Sequence, residues 1–279
     1  MTPPSSDPRQ HSMDDHVVGQ IGLHVSAAGD PCGAGMHLHL DPVLFEDDGH
    51  LDFGVLGVLL DMGSAEAVGL RPFLHADISI HRIARPTGER LHIEARLLRE
   101  GGRSAIAHVA ARDEHGVQVA DSTQQIVFPR LPADAAPDPE GAKAHRQRFL
   151  DRFDGRVRLP GRLHDIIGLA EEVGGDGAPV WTMPLGPTSR NGFGALHGGV
   201  TFDLVTEAAV GAASRSVGPV EAKSAMVRYL APASVGPFRA VPVVLPQDDG
   251  SVFVRVEVTD DGNDSLLCHV AEVHLAARR

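Results

Sequence analysis

The sequence repeats itself. An offset of 145 residues aligns Pro42 with Pro187, Gly54 with Gly199, Val55 with Val200, Leu59 with Leu204 and Ala67 with Ala212; after one inserted residue, an offset of 146 pairs Arg82 with Arg228, Pro86 with Pro232 and Gly116 with Gly262. Chance matches of Ala, Leu and Val are cheap, but Pro, Gly and Arg returning in the same order at a nearly constant offset identify a tandem duplication. Whatever one half builds the other builds again, and the two halves can pair as near equals. A length of 279 residues suits one large domain or two modest ones; the duplication selects two.

Each copy reads the same way. An extended piece (residues 36–42 and 180–187) leads through a Gly-containing loop into one long apolar segment, residues 55–68 and 200–214, with little sign of a polar face. That composition fits a helix buried on most sides. Alternating runs follow at 77–83, 91–98, 104–111 and 117–127, and again at 223–230, 238–245, 252–259 and 266–275, with Gly- and Asp-rich turns between them. The order predicts an α+β unit in which a strongly curved antiparallel sheet wraps one long helix. Two such units are expected to pair into a continuous sheet with their helices side by side. The boundaries expected are a disordered tail at 1–16, a first domain at 17–130, a linker at 131–163 and a second domain at 164–279. Within the linker, residues 144–153 have the spacing of one short amphipathic helix.

Composition removes several function classes. A net charge of −12 leaves no general basic face for nucleic acid, and 4% aromatic residues leave few stacking platforms. Cys32 and Cys268 lie far apart with no CxxC spacing, so both read as small buried hydrophobes. No basic, apolar leader and no run of about 18 apolar residues is present, which points to a cytoplasmic protein without a membrane partner. His37, His39 and Asp41 lie in an HLHLD run, but Pro42 follows and strand alternation accounts for the histidines; with no HExxH either, no metal and no cofactor is expected. Gly192 and Gly194 begin a GxGxxG whose last place is His197, and there is no GxSxG.

The most specific local pattern is Asn191-Gly-Phe-Gly-Ala-Leu-His197-Gly198-Gly199-Val200, opening the second apolar segment. With the later YLAPASVGP at 229–237, it resembles the hot dog acyl-CoA thioesterases of the phenylacetyl-CoA and 4-hydroxybenzoyl-CoA type. The resemblance covers most of the second copy and, more weakly, the first, and implies a tandem double hot dog paired as a pseudo-dimer. The chemistry also has a rationale of its own. Unpaired N–H groups at a helix start, with the helix dipole behind them, can hold a thioester oxygen as it becomes an oxyanion. Gly198 and Gly199 admit substrate close to that backbone, while His197 and Asn191 are placed to orient the carbonyl or a water.

The resembled family carries a carboxylate nine residues after the motif histidine, on the same helix. That place holds Thr206 here, with Glu207 one step and about 100° further round. In the first copy the equivalent place is Asp61, whereas Asp52 stands for the histidine and Glu46 for Asn191. Because the family's site lies between two paired units, the resemblance implies one composite site of Asp61, Asn191, His197, Gly198 and Gly199, and an opposite, inactive site of Thr206 with Asp52, Phe53 and Gly54. Asp61 could instead serve a backbone bond at a bend, and Asn191 a turn. Arg82, Arg85, Arg228 and Lys223 form a patch to test against coenzyme A phosphates, with solvated strand ends as the alternative. Arg82, Arg228, Thr206 and Glu207 are the candidate substrate contacts. The function implied is hydrolysis of a small-to-medium or aromatic acyl-CoA, with general-base and nucleophilic attack both open. A non-catalytic acyl-CoA-binding module is the alternative; hydratase and dehydratase motifs are missing. Exposed sheet edges leave room for a homodimer of the two-domain chain.

Overall fold

A computed structural model of the chain describes residues 16–26, 35–69, 72–129, 154–175, 177–245 and 251–278. The expected tail, apart from His16, the expected helix at 144–153 and Cys32 lie outside the described residues. Four α-helices are described: α1 (Val17–Gln20), α2 (Phe53–Val68), α3 (Leu163–Ile166) and α4 (Gly198–Val217). The strands are β1 (Leu23–Ser26), β2 (Gly35–His39), β3 (Leu74–Arg82), β4 (Arg90–Glu100), β5 (Ser104–Asp113), β6 (Gln118–Val127), β7 (Ala170–Val173), β8 (Pro179–Met183), β9 (Val220–Tyr229), β10 (Phe238–Leu245), β11 (Ser251–Asp260) and β12 (Leu266–Ala277).

The two long helices are the predicted apolar segments, each extended by two residues at its start. Their first turns are capped from the side chain: Asp52 Oδ1 accepts the Val55 N–H and His197 Nδ1 accepts the Gly199 N–H, both at 3.1 Å. Each ends at a glycine of positive φ, Gly69 at 69° and Gly218 at 86°, a conformation that glycine adopts without strain. Leu56, Leu59 and Leu60 on α2, with Phe202, Leu204 and Val205 on α4, are fully buried, each contributing roughly 1.5–3 kcal/mol relative to exposure.

All the described strands join one antiparallel sheet in the order β1-β2-β4-β5-β6-β3-β9-β12-β11-β10-β8-β7. The halves meet at β3 and β9, where Ile78 lies opposite Val227 and Ile80 opposite Ala225. Read outward from that junction, the two halves present their strands in equivalent order, as a duplication requires. Alternation along β11 buries Val252, Val254, Val256 and Val258 toward the helices. The eight strands that follow the two helices match the alternating runs, but they do not form a simple meander: β4–β5–β6 and β10–β11–β12 pair in succession, whereas β3 pairs with β6 and β9 with β12. The extended pieces expected at 36–42 and 180–187 form β2 and β8; their outer partners β1 and β7 do not follow from the pattern, and in β7 all four residues are exposed and carry no burial period.

Across the sheet's concave layer α2 and α4 run antiparallel and close together. A Cβ on Gly57 would lie 2.4 Å from the Gly199 carbonyl oxygen, and one on Gly199 would lie 2.5 Å from Val58 Cα. Only hydrogen fits at that crossing, so glycine at both places lets the start of one helix reach the third turn of the other. Residues 154–163, read from sequence as the end of a linker, pack onto the first half: Arg158 N–H donates to Gln20 O at 2.7 Å and Leu159 is buried. Among the described residues, no helix is long and apolar enough to cross a membrane.

Candidate active site

The glycine crossing delivers Asp61, on α2, to the first turn of α4. Asp61 Oδ2 accepts the Gly199 N–H at 2.7 Å and lies 3.2 Å from His197 Nδ1. The Gly199 N–H is thus shared between the carboxylate and the capping imidazole. Since His197 Nδ1 is an acceptor, its proton sits on Nε2. The Gly198 N–H, one residue earlier, finds no acceptor among the described residues. Beneath it the Tyr229 hydroxyl donates to the Gly198 carbonyl at 2.9 Å, fixing the orientation of that peptide.

A second imidazole backs the carboxylate. His75 Nδ1, on β3, lies 3.4 Å from Asp61 Oδ1, while His75 Nε2 is 2.8 Å from Ser64 Oγ. Burial pushes both His75 and His197 below the usual histidine range, against the pull of the Asp61 charge. The Ser64 hydroxyl donates to Asp61 O at 2.8 Å, which leaves its oxygen to accept from His75 Nε2 when the neutral ring carries its proton there; with the proton on Nδ1 the ring faces Asp61 Oδ1 with a donor instead. His16 covers the far side of His197, ring centroids 5.5 Å apart, and burial lowers its pKa to about 3. Asp61 keeps 13% side-chain exposure, so water can reach it.

Sequence reasoning brings Asp61, His197, Gly198 and Gly199 together, and the structure places all four within contact of one another. Asn191 takes the turn role held open as its alternative. Its Oδ1 accepts the N–H groups of Phe193 and Ala195 at 2.9 and 3.1 Å, and its Nδ2 donates to Leu196 O at 3.3 Å. The amide is occupied in closing its own loop and holds the chain that leads into His197. His75, Ser64 and Tyr229 were missed. Tyr229 is the one tyrosine of the chain and lies in the YLAPASVGP run, but nothing in the spacing ties His75 to Asp61.

The candidate substrate contacts fall elsewhere. Arg82 is 6% exposed, its guanidinium held by Glu46 and by Glu221 at 3.4 Å, so it is not free to meet a phosphate. Arg228 pairs with Glu272 at 2.9 Å; adjacent to inward-facing Tyr229, it projects from the opposite face of the sheet. Thr206 and Glu207 line a cavity of about 250 Å³ with Glu46, Asp52, Phe53 and His164, at the other end of the helix pair. Arg85, Lys223 and Arg278 line a neighbouring cavity of about 330 Å³, and Lys223 is paired with Glu221 at 2.7 Å. Cys268 is buried, its thiol donating to Val258 O at 3.1 Å.

Comparison with known proteins follows the same division of the chain. Residues 193–266 match the thioesterase superfamily family model. No curated protein matches the chain in sequence. Among solved structures, the tesB protein of Mycobacterium avium subs paratuberculosis superposes with a TM-score of 0.62 at 13% identity, over 96% of this chain and 100% of that one. The 12:0-ACP thioesterase of Umbellularia californica gives 0.57 at 11% identity, over 87% and 93%. The acyl-CoA thioesterase II TesB2 of Mycobacterium marinum gives 0.55 at 13% identity, over 82% and 91%. At these identities the likeness is one of fold, and it extends over both halves. The chain is a double hot dog protein whose second half carries a match to the thioesterase superfamily.

Proposed function

We propose that the chain hydrolyses acyl-CoA thioesters, of small-to-medium or aromatic acyl chain, at one composite site shared by its two halves. The observation that carries this reading is the 2.7 Å contact between Asp61 of one half and the Gly199 N–H of the other, beside the acceptor-free Gly198 N–H. The thioester oxygen is taken to lie at the Gly198 N–H, where the dipole of α4 favours the developing negative charge. Asp61 then either removes a proton from water as the water oxygen bonds to the carbonyl carbon, or attacks that carbon itself. In both routes the carbon–sulfur bond breaks and the coenzyme A thiolate leaves; in the first it takes the proton that Asp61 removed from water, and in the second water then hydrolyses the acyl–Asp61 anhydride, freeing the acid and Asp61 and supplying the proton. The Gly199 N–H holds the carboxylate in place, His197 caps the helix start that supplies it, His75 stands behind Asp61, and Asn191 holds the loop that presents His197.

The test is release of free thiol from short, medium, long and aromatic acyl-CoAs by the wild type and by Asp61→Asn and Glu207→Gln. Turnover lost in the first variant and kept in the second supports the composite site. Acyl-CoA binding without turnover in the wild type would overturn it in favour of a binding module.

A further inference from the structure

The other end of the helix pair is not merely eroded. Asp203, on α4, faces the start of α2: a Cβ on Gly54 would meet Asp203 Cβ at 2.5 Å. By the repeat offset Asp203 occupies the place of Val58 in the first half, so a buried aliphatic side chain has been exchanged for an acid. Asp203 is 1% exposed and its Oδ2 has no hydrogen-bond partner among the described residues. Such an atom is costly to bury unless something occupies it. Around it, one ligand atom each from Asp203, Asp52 and His164 lies within 4.8 Å of the others. His164 Nδ1, from α3, is likewise buried without a partner, while its Nε2 is 3.7 Å from Asp165 Oδ1. The cavity of about 250 Å³ opens onto Asp52 and His164, with Glu207 and Glu46 in its wall.

We propose that Asp52, Asp203 and His164 bind one divalent first-row transition-metal ion. One imidazole and two carboxylates suit Zn²⁺ or Mn²⁺ better than Ca²⁺ or Mg²⁺, which favour all-oxygen sites. The cation neutralises two buried carboxylates and ties α3 to the N-cap of α2 and to the second turn of α4. Water from the cavity fills the remaining positions. The sequence gives no hint of this because the three ligands stand at 52, 164 and 203, on separate elements and in no motif spacing. A second group among the described residues, Asp48, His50 and Glu221, is a poorer candidate, since Glu221 already pairs with Arg82 and Lys223. The inference is independent of thioester hydrolysis at Asp61.

The experiment uses the full chain, stripped with chelator and titrated calorimetrically with Zn²⁺, Mn²⁺, Mg²⁺ and Ca²⁺, alongside thermal melts. Expected are one equivalent of Zn²⁺ or Mn²⁺ bound, a melting temperature raised by several degrees, and at least tenfold weaker binding in His164→Ala and Asp203→Asn. Asp203→Val installs the residue of the other half and keeps a folded reference that binds no metal. No saturable binding by the wild type, or equal binding by Asp203→Val, overturns the site. Wild type without metal and Asp203→Val with a higher melting temperature would show instead that the two carboxyls share a proton.

Discussion

The two ends of the helix pair are built on the same plan and filled with different chemistry. At one end Asp61 meets His197, Gly198 and Gly199; at the other, the equivalent places hold Thr206, Asp52, Phe53 and Gly54. His197 and Asp52 both cap their helices from the side chain, so the fold keeps that role at both ends. Gly198 and Phe53 do not match. Where Gly198 has no side chain, the Phe53 ring stacks on Phe202 at 6.3 Å, lies under the Arg82 guanidinium and lines the cavity at that end. Thr206 turns its hydroxyl back onto Phe202 O at 2.7 Å, leaving no acid aimed at that backbone. Once a site is assembled from both halves of one chain, each half is free to lose what the other supplies. The second site can then close, or take up another ligand.

The strongest way to break this comparison is at the acids. Asp61→Asn is expected to lower thioester turnover by about 10³-fold, within the range for a lost acid–base group, whereas Thr206→Ala leaves it within about twofold. Steady-state thiol release decides it, and equal losses in both variants would mean both ends are active. Next come the glycines. Gly199→Ala presses on Val58 backbone at 2.5 Å and is expected to destabilise the fold by about 3 kcal/mol, the upper part of the overpacking range. Gly198→Ala meets only the ends of side chains, Asp61 Oδ2 at 2.9 Å and Tyr229 OH at 3.4 Å. It should melt within about 1 kcal/mol of the wild type yet lose most of its turnover, and denaturant titration beside kinetics separates the two effects.

Acid should sharpen the contrast further. Burial lowers the pKa of His75, His197, His269 (to about 4) and His16 (to about 3). Below pH of about 6.5 the unfolded chain takes up protons that the folded protein refuses, so this stability is complete above 6.5 and falls with pH toward the folded values. Glu207 acts in the opposite sense: burial and Asp52 raise its pKa, so the folded protein holds a proton that the unfolded chain has released, and its share grows as pH falls toward the usual glutamate range. In melts at constant ionic strength, His75→Gln is expected to flatten the decline in melting temperature between pH 6.5 and 4, and Glu207→Gln to steepen it. The smallest effect is that of Tyr229→Phe. Loss of one hydrogen bond to Gly198 O should cost about 1 kcal/mol and reduce kcat more than it raises KM, because the bond anchors the Gly198–Gly199 peptide, whose N–H holds Asp61 and which is joined at Gly198 to the peptide that meets the developing oxyanion.

Much of this architecture is legible from residues alone. The Ala, Leu and Val of 55–68 and 200–214 with no polar face announce buried helices, and the alternating runs announce the strands, because periodicity records which way each side chain points; it does not record that β3 pairs with β6 and β9 with β12. The outer hairpin at Ala170–Val173 is silent for the same reason: fully exposed, it has no inside to mark. In the site, the offset alone carries the argument from the missing acid at Thr206 to Asp61. Sequence leaves Asn191 between the site and a turn, and only the structure shows its short amide bonded within its own loop; it likewise cannot show the long side chain of Arg82 drawn into the pair of acids Glu46 and Glu221.

What the sequence determined by itself is therefore local and repeated: the duplication, the helix that starts at His-Gly-Gly, and the strands along the chain. Only the tertiary structure decided which groups meet. His75 and Tyr229 come to Asp61 and Gly198 from separate strands, and Asp203 comes to Asp52 and His164 from separate helices. The physical reason is the crossing at Gly57 and Gly199, where the absence of side chains lets two helix backbones approach closely. That approach brings residues more than a hundred positions apart within hydrogen-bonding distance, a relation that no periodicity along the chain encodes.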